Sequence, residues 1–147
     1  MAHEIPASSS FDGLSRKVIQ YSEGFSALVD KMNNGALSDS DWEPLEALID
    51  SGKWERVGQF LTAEAETIGW DKYRHYVTQY AAGTHWEGTL RHITEQGNRV
   101  ILELTERNTR DGVTDHSNTV TVYEFDDAGK FVHLEVYVMP LGKRPAD

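Results

Sequence analysis

The chain contains no cysteine. That absence removes disulfides, thiolate nucleophiles and cysteine-ligated zinc. Basic residues are scarce: 14 Lys and Arg stand against 24 Asp and Glu, a formal net charge of -10. Such a balance excludes the basic stripe with which nucleic-acid binders neutralise phosphates, and it argues against an anionic membrane surface. No apolar run approaches the ~20 residues that span a bilayer. The start, MAHEIPASSS, lacks the basic cluster and apolar run of a signal peptide. There is no G-x-G-x-x-G, no G-x-S-x-G and no P-loop, so neither a nucleotide nor a flavin is indicated. The expectation is a cytoplasmic protein with no cofactor and neither nucleic acid nor membrane as a partner.

What remains is an ordinary globular profile. Hydrophobic residues make up 39% and charged residues 26% of 147 positions, enough for one domain with one core. Residues 1–10 read as a flexible arm, 11–140 as a single domain and 141–147 as a tail. Phe11, Leu14, Val18, Tyr21, Phe25, Leu28 and Met32 alternate in steps of three and four, which lines one face of a helix. Asn33-Asn34-Gly35 ends it. A shorter helix follows, with Ser40 and Glu43 as a capping box and Trp42, Leu45, Leu48 and Ile49 as its apolar face. Residues 53–69 are ambiguous between a strand with its return and a short helix followed by a strand.

A third helix is predicted over 71–82, with Tyr73, Tyr76, Val77 and Tyr80 on one face. Strands are predicted over 85–95, 99–109, 115–125 and 131–139, separated by Gln96-Gly97-Asn98, Arg110-Asp111-Gly112 and Asp127-Ala128-Gly129. Each break has turn chemistry and is short enough for antiparallel neighbours. The fold class is α+β: a curved antiparallel sheet with about three N-terminal helices on its concave face, forming a cone that encloses a pocket.

This order of elements resembles the nuclear transport factor 2-like superfamily, which includes ketosteroid isomerases, SnoaL-like polyketide cyclases, limonene epoxide hydrolase and scytalone dehydratase. The resemblance rests on Gly69-Trp70-Asp71-Lys72-Tyr73-Arg74-His75-Tyr76, on Gly97-Asn98-Arg99-Val100 and on residues 123–131, YEFDDAGKF. It extends from about Phe11 to Met139, and it speaks for a fold rather than for an activity. It implies that the concave face lines a pocket and that the convex face pairs with a second copy. On that reading Val132, Leu134, Val136 and Val138 look into the cavity, while His133, Glu135 and Tyr137 face the partner. Leu102, Leu104 and Thr121 on neighbouring strands are expected to line the same cavity. So are the aromatic residues Tyr21, Trp54, Tyr73, Tyr76, Tyr80, Trp86 and Tyr123, shared between pocket wall and core.

The catalytic sets of the superfamily do not transfer whole. Thr121 stands where ketosteroid isomerases present an acid. Glu106, Leu104 and Val136 match the Asp/Arg/Asp set of limonene epoxide hydrolase, and only Glu106 is ionisable. Glu106 follows Val100, Leu102 and Leu104 on one strand face, where a carboxyl among apolar side chains can act as acid or base. His85 is near the point where dehydratase-type members place a general base, with a register uncertainty of one residue that makes Trp86 the alternative. Glu55 lies near a polar position on the first strand of the isomerases and the epoxide hydrolase. Asp30 lies near an acid that orients the histidine in dehydratase-like members. No histidine spacing suggests a metal; Asp71 and His75 form at most an i, i+4 pair.

The functional expectation is a cofactor-independent enzyme acting on a small, apolar organic molecule in an enclosed pocket, polyketide cyclase-like or isomerase-like. The alternatives are a non-catalytic small-molecule binder and an epoxide hydrolase-like or dehydratase-like enzyme.

Overall fold

The computed structural model describes residues 4–59 and 62–147, and Tyr80 by its backbone alone. Helix α1 spans Gly13–Asn33 and buries the stripe given by its three-four spacing, with Val18, Ile19, Tyr21, Leu28 and Val29 inside. A 3-10 turn, Asp39–Trp42, runs into the four-residue helix α2, Glu43–Glu46. The capping box there is Ser38 with Asp41, two residues before the predicted one; the Ser38 N–H donates to Asp41 Oδ2 at 2.8 Å. Leu45 approaches α1 so closely that a Cβ on Gly24 would stand 2.8 Å from its Cδ2.

Residues 53–69 take the strand-and-return form, as β1, Glu55–Gly58, and β2, Glu66–Gly69. Helix α3 covers Trp70–Tyr80. Strands β3, His85–Gln96, β4, Arg99–Arg110, β5, Val113–Phe125, and β6, Phe131–Pro145, follow as a meander. The sheet order is β2-β1-β6-β5-β4-β3. Every neighbouring pair is antiparallel except β1 with β6, which is parallel, so the sheet is mixed rather than purely antiparallel.

Described residues near both ends of the sequence pair with the sheet. Glu4 forms a parallel bridge to Thr89 on the edge strand β3. Its N–H donates to the Gly88 carbonyl at 2.8 Å, and its carbonyl accepts from Leu90 at 3.1 Å. At the other end, β6 continues to Pro145 in register with β5.

A bulge sets the inward rows. Phe125 pairs with Phe131 and Glu124 with His133, so Val132 is the extra residue and the alternation of β6 restarts after it. Phe131, rather than Val132, therefore joins the core, at 1% exposure. Its ring packs 5.1 Å from Tyr21, 5.0 Å from Tyr123, 5.7 Å from Phe125 and 6.1 Å from Trp54, centroid to centroid. Its backbone N–H also donates to the Leu48 carbonyl at 2.9 Å, which ties the end of the α2 region to the sheet.

The outer face of the β1–β6 junction carries a polar chain. His133 shares hydrogen bonds with Glu55 at 2.7 Å through Nδ1 and with Glu135 at 2.9 Å through Nε2, and the Tyr137 hydroxyl donates to Glu135 at 2.7 Å. Partial burial works against the charged imidazole, but the hydrogen bonds to Glu135 and Glu55 outweigh it and raise the His133 pKa from its ordinary 6.5. The Glu135 carboxyl is held below its ordinary 4.5 by Tyr137 and then by His133. The histidine contribution to stability is fully present below 6.5 and is lost as the pH rises through the raised folded value. The glutamate contribution is present above 4.5 and is lost as the pH falls through the lowered one. The two overlap between those limits. His133→Gln is expected to remove about 0.5 kcal/mol of the stability that the wild type loses between pH 5.5 and 8.5, a small value because the cluster is partly solvated. Urea unfolding of both proteins at the two pH values checks this; parallel pH profiles contradict it.

Candidate functional site

The inward rows of β4, β5 and β6 and one side of α1 and α3 surround a cavity of about 420 Å³. An outer chamber of about 670 Å³ adjoins it. The two share the lining residues Phe25, Arg56, Tyr73, Trp86, Asn108 and Asp115.

Strand alternation gives each wall its own character. Strand β6 supplies Leu134, Val136, Val138 and Pro140, an aliphatic wall. Strand β5 supplies Asp115, Ser117, Thr119, Thr121 and Tyr123, a ladder of oxygen-bearing side chains. Strand β4 changes character along its length, from Leu102 and Leu104 to Glu106 and Asn108. The cavity is thus apolar on one side and polar on the other. The signal was present in the odd positions of residues 115–123.

Glu106 lines the inner chamber, and its Oε1 accepts a hydrogen bond from Trp86 Nε1 at 2.6 Å. The indole fixes the carboxylate through an oxygen on its own side of the sheet, since Gly88 pairs with Glu106 across the β3–β4 ladder and Trp86 lies two residues away on the same face. Three tyrosines line the inner chamber, and each is pushed above its ordinary pKa first by burial: Tyr21 well above it, Tyr73 and Tyr123 also. All three remain hydroxyl donors at neutral pH. Arg56 enters from β1, where it alternates inward between Glu55 and Val57. Burial lowers its pKa, and Tyr73, Tyr21, Tyr123 and Glu106 act in the opposite direction; it stays a cation.

Of the four ionisable candidates, Glu106 alone lines this cavity. His85 is exposed and hydrogen-bonded to Glu87 at 3.0 Å, while its neighbour Trp86 takes the inward position. The one-residue register thus falls to the tryptophan. Glu55 belongs to the outer polar chain with His133, because β1 turns Trp54 and Arg56 to the other side. Asp30 is exposed, off the buried stripe of α1.

Among the wall residues, Tyr21, Tyr73, Trp86, Leu102, Leu104, Thr121, Tyr123, Leu134, Val136 and Val138 line the inner chamber. Tyr76 lines the outer one. Trp54 does not reach either: it is 3% exposed and packed 5.0 Å from Trp70 and 4.8 Å from Tyr73. The Tyr80 side chain lies outside the described residues. Among the described residues no group of three His, Asp or Glu is placed to hold a metal ion, and no helix is long and apolar enough to cross a membrane.

Solved structures of the same shape exist. A Δ5-3-ketosteroid isomerase from Mycobacterium sp. aligns with a TM-score of 0.60 at 15% identity, over 84% of this chain and 98% of that one. The chain has the nuclear transport factor 2-like fold. A Mycobacterium tuberculosis protein solved in complex with estradiol-17beta-hemisuccinate shares the fold at a TM-score of 0.59 and 16% identity, over 82% of this chain and 92% of that one. An M. tuberculosis epoxide hydrolase described as LEH-like aligns at 0.53 and 17%, over 84% and 83%. No protein-family model matches the sequence, and no curated protein matches it.

Two buried hydroxyls in the nuclear transport factor 2-like cavity lack a well-formed hydrogen bond, Tyr21 Oη and Thr119 Oγ1. For Tyr21 a weak side-chain hydrogen bond with Tyr73 is the contact that acts on its ionisation after burial and the Tyr73 charge. A buried hydroxyl in that state lowers stability. Tyr21→Phe is therefore expected to stabilise the ligand-free protein by about 0.5–1 kcal/mol in urea unfolding. A loss of stability instead means that the hydroxyl is satisfied in the folded protein.

Proposed function

We propose that this chain is a cofactor-independent enzyme that moves a proton on a small, largely apolar organic molecule, in the manner of the polyketide cyclases or isomerases. The observation that carries the reading is Glu106: a carboxylate oriented by the Trp86 indole inside a cavity with an aliphatic wall. A carboxylate so placed can take a proton from a carbon next to a carbonyl and return it elsewhere on the same molecule. The enclosed wall keeps water from competing for the intermediate. That a ketosteroid isomerase and an epoxide hydrolase share the fold is consistent with this chemistry.

Deuterium exchange at the α-carbons of 2-tetralone in D2O, followed by NMR, tests the reading without a known substrate. The wild type is expected to accelerate exchange, and Glu106→Gln to lose about 100-fold of that acceleration while still binding the ketone. The second reading, a binder without turnover, is favoured by the absence of His85, Glu55 and Asp30 from the lining of the cavity. A designed binder of 17-OHP shares the fold at a TM-score of 0.54 and 16% identity. Binding of 2-tetralone with no acceleration by the wild type decides for it.

We also infer that two copies pair through the outer face of the sheet. Tyr137 and Met139 stand on that face of β6 at 57% and 56% exposure, beside the His133 chain. Large apolar side chains adjoining a polar network are the composition of an interface rather than of a free surface. Sedimentation is expected to give a dimer for the wild type and a monomer for Tyr137→Asp combined with Met139→Asp. A monomeric wild type at micromolar concentration contradicts the pairing.

A further inference from the structure

We propose that Ile5 is a positioning residue: the N-terminal segment crosses the edge of the sheet and holds the Trp86 indole on Glu106. This deepens the enzyme reading of Glu106, and only the catalytic readout of its test rests on that reading.

Trp86 needs outside support because of where it stands. It lies on β3, the last strand in the sheet order, so no further strand flanks it on that side. Two residues on, the same face carries Gly88, which has no side chain for an indole to lodge against. The ring lies over that bare backbone: a Cβ on Gly88 would stand 2.9 Å from Trp86 Cζ2 and 3.0 Å from its Cη2. The same point would be 3.1 Å from Ile5 Cδ1. The Ile5 methyl and the benzo edge of the indole thus share one recess above Gly88. Cζ2 and Nε1 are bonded to the same ring carbon, so the edge that Ile5 confines is the edge that aims the N–H at Glu106 Oε1, 2.6 Å away.

The segment also has the anchors that a buttress requires. Glu4 is tied to β3 through both its N–H, to Gly88 at 2.8 Å, and its carbonyl, from Leu90 at 3.1 Å. Further on, the Ser8 N–H donates to Glu23 Oε2 of α1 at 3.3 Å, and a 3-10 turn, Ser8–Ser10, leads the chain toward that helix. Ile5 sits between these fixed points, half-buried against the core, while Glu4, Pro6 and Ala7 beside it are exposed. Ser22 and Trp86 line the inner chamber and also a second space of about 420 Å³, which Ile5, Pro6 and Ala7 line too. Truncating Ile5 enlarges that second space and gives the indole somewhere to turn away from Glu106. A carboxylate whose indole donor can turn away is misaligned for proton transfer, where a displacement of about 1 Å can cost roughly 100-fold.

Two readouts on Ile5→Gly test this. The Trp86 indole N–H signal is identified by NMR through its loss in Trp86→Phe. In Ile5→Gly its exchange with solvent is expected to quicken about tenfold, while the indoles of Trp42, Trp54 and Trp70, at 2%, 3% and 4% exposure, keep their rates. The second readout is deuterium exchange of 2-tetralone, for which kcat is expected to fall about tenfold with KM nearly unchanged. Ile5→Leu, which keeps a δ-methyl, restores both. Leu37→Ala removes a side chain that packs on the same core beside Trp42 and Arg74, and is expected to change neither. If Ile5→Gly does not fold, Gly88→Ala takes its place, because its methyl enters the recess and displaces the indole, with the same two effects. A wild type that does not accelerate the exchange, together with a selectively freed Trp86 in the variant, leaves the positioning standing and removes the enzyme reading. An unaltered Trp86 rate, or equal quickening of all the indoles, overturns the proposal. So does an unaltered kcat in an active enzyme, or a loss in Leu37→Ala as large as that in Ile5→Gly.

Discussion

The seat of one ring, Phe131, organises this structure. Tyr21 of α1, Trp54 ahead of β1, and Tyr123 and Phe125 of β5 all pack on it, and its backbone binds the chain after α2. Aromatic pairs at these spacings gain from edge-to-face geometry beyond simple burial. The seat exists because the bulge at Val132 resets the alternation of β6. The same reset turns Leu134, Val136 and Val138 toward the cavity and His133, Glu135 and Tyr137 away from it. One extra residue in a strand thus determines which side chains become site and which become surface.

The cavity inherits its asymmetry from that arrangement. Two of the tyrosines that line it, Tyr21 and Tyr123, are also neighbours of Phe131, so they belong to core and cavity wall at once. Arg56 reaches the same space from β1, the neighbour of β6. A cation, a carboxylate and a row of hydroxyls then share a space that also has an aliphatic wall. Buried polar groups of this kind work against stability unless satisfied. Their presence here is what distinguishes this cavity from an ordinary core.

Much of the fold was legible in the sequence because its signals are periodic or local. The three-four spacing of α1 and the Gly-containing breaks between the long strands need no tertiary information. Residues 53–69 were not legible because four-residue strands carry no period, and their pairing is decided by the distant β6. The bulge was invisible for a related reason: Val132, Leu134, Val136 and Val138 alternate without interruption, and only the ladder with β5 exposes the extra residue. At the site, Glu106 followed from a row of leucines on its own strand. His85, Glu55 and Asp30 rested on registers borrowed from distant relatives, where an error of one residue reverses the face. Arg56 was overlooked because a charged residue beside Glu55 in a short segment reads as surface.

The parallel joint between β1 and β6 also governs how the molecule comes into being. Arg56 pairs with Leu134 across a long stretch of intervening chain, whereas the strands of the β3–β6 meander meet their sequence neighbours. Closing the larger loop costs more chain entropy and belongs to the slower class of contacts. The strand that carries Arg56 is held on one side by β6 alone, so the position of the cavity's guanidinium depends on a segment 78 residues further along the chain, and the two ends of the domain are joined in one rung.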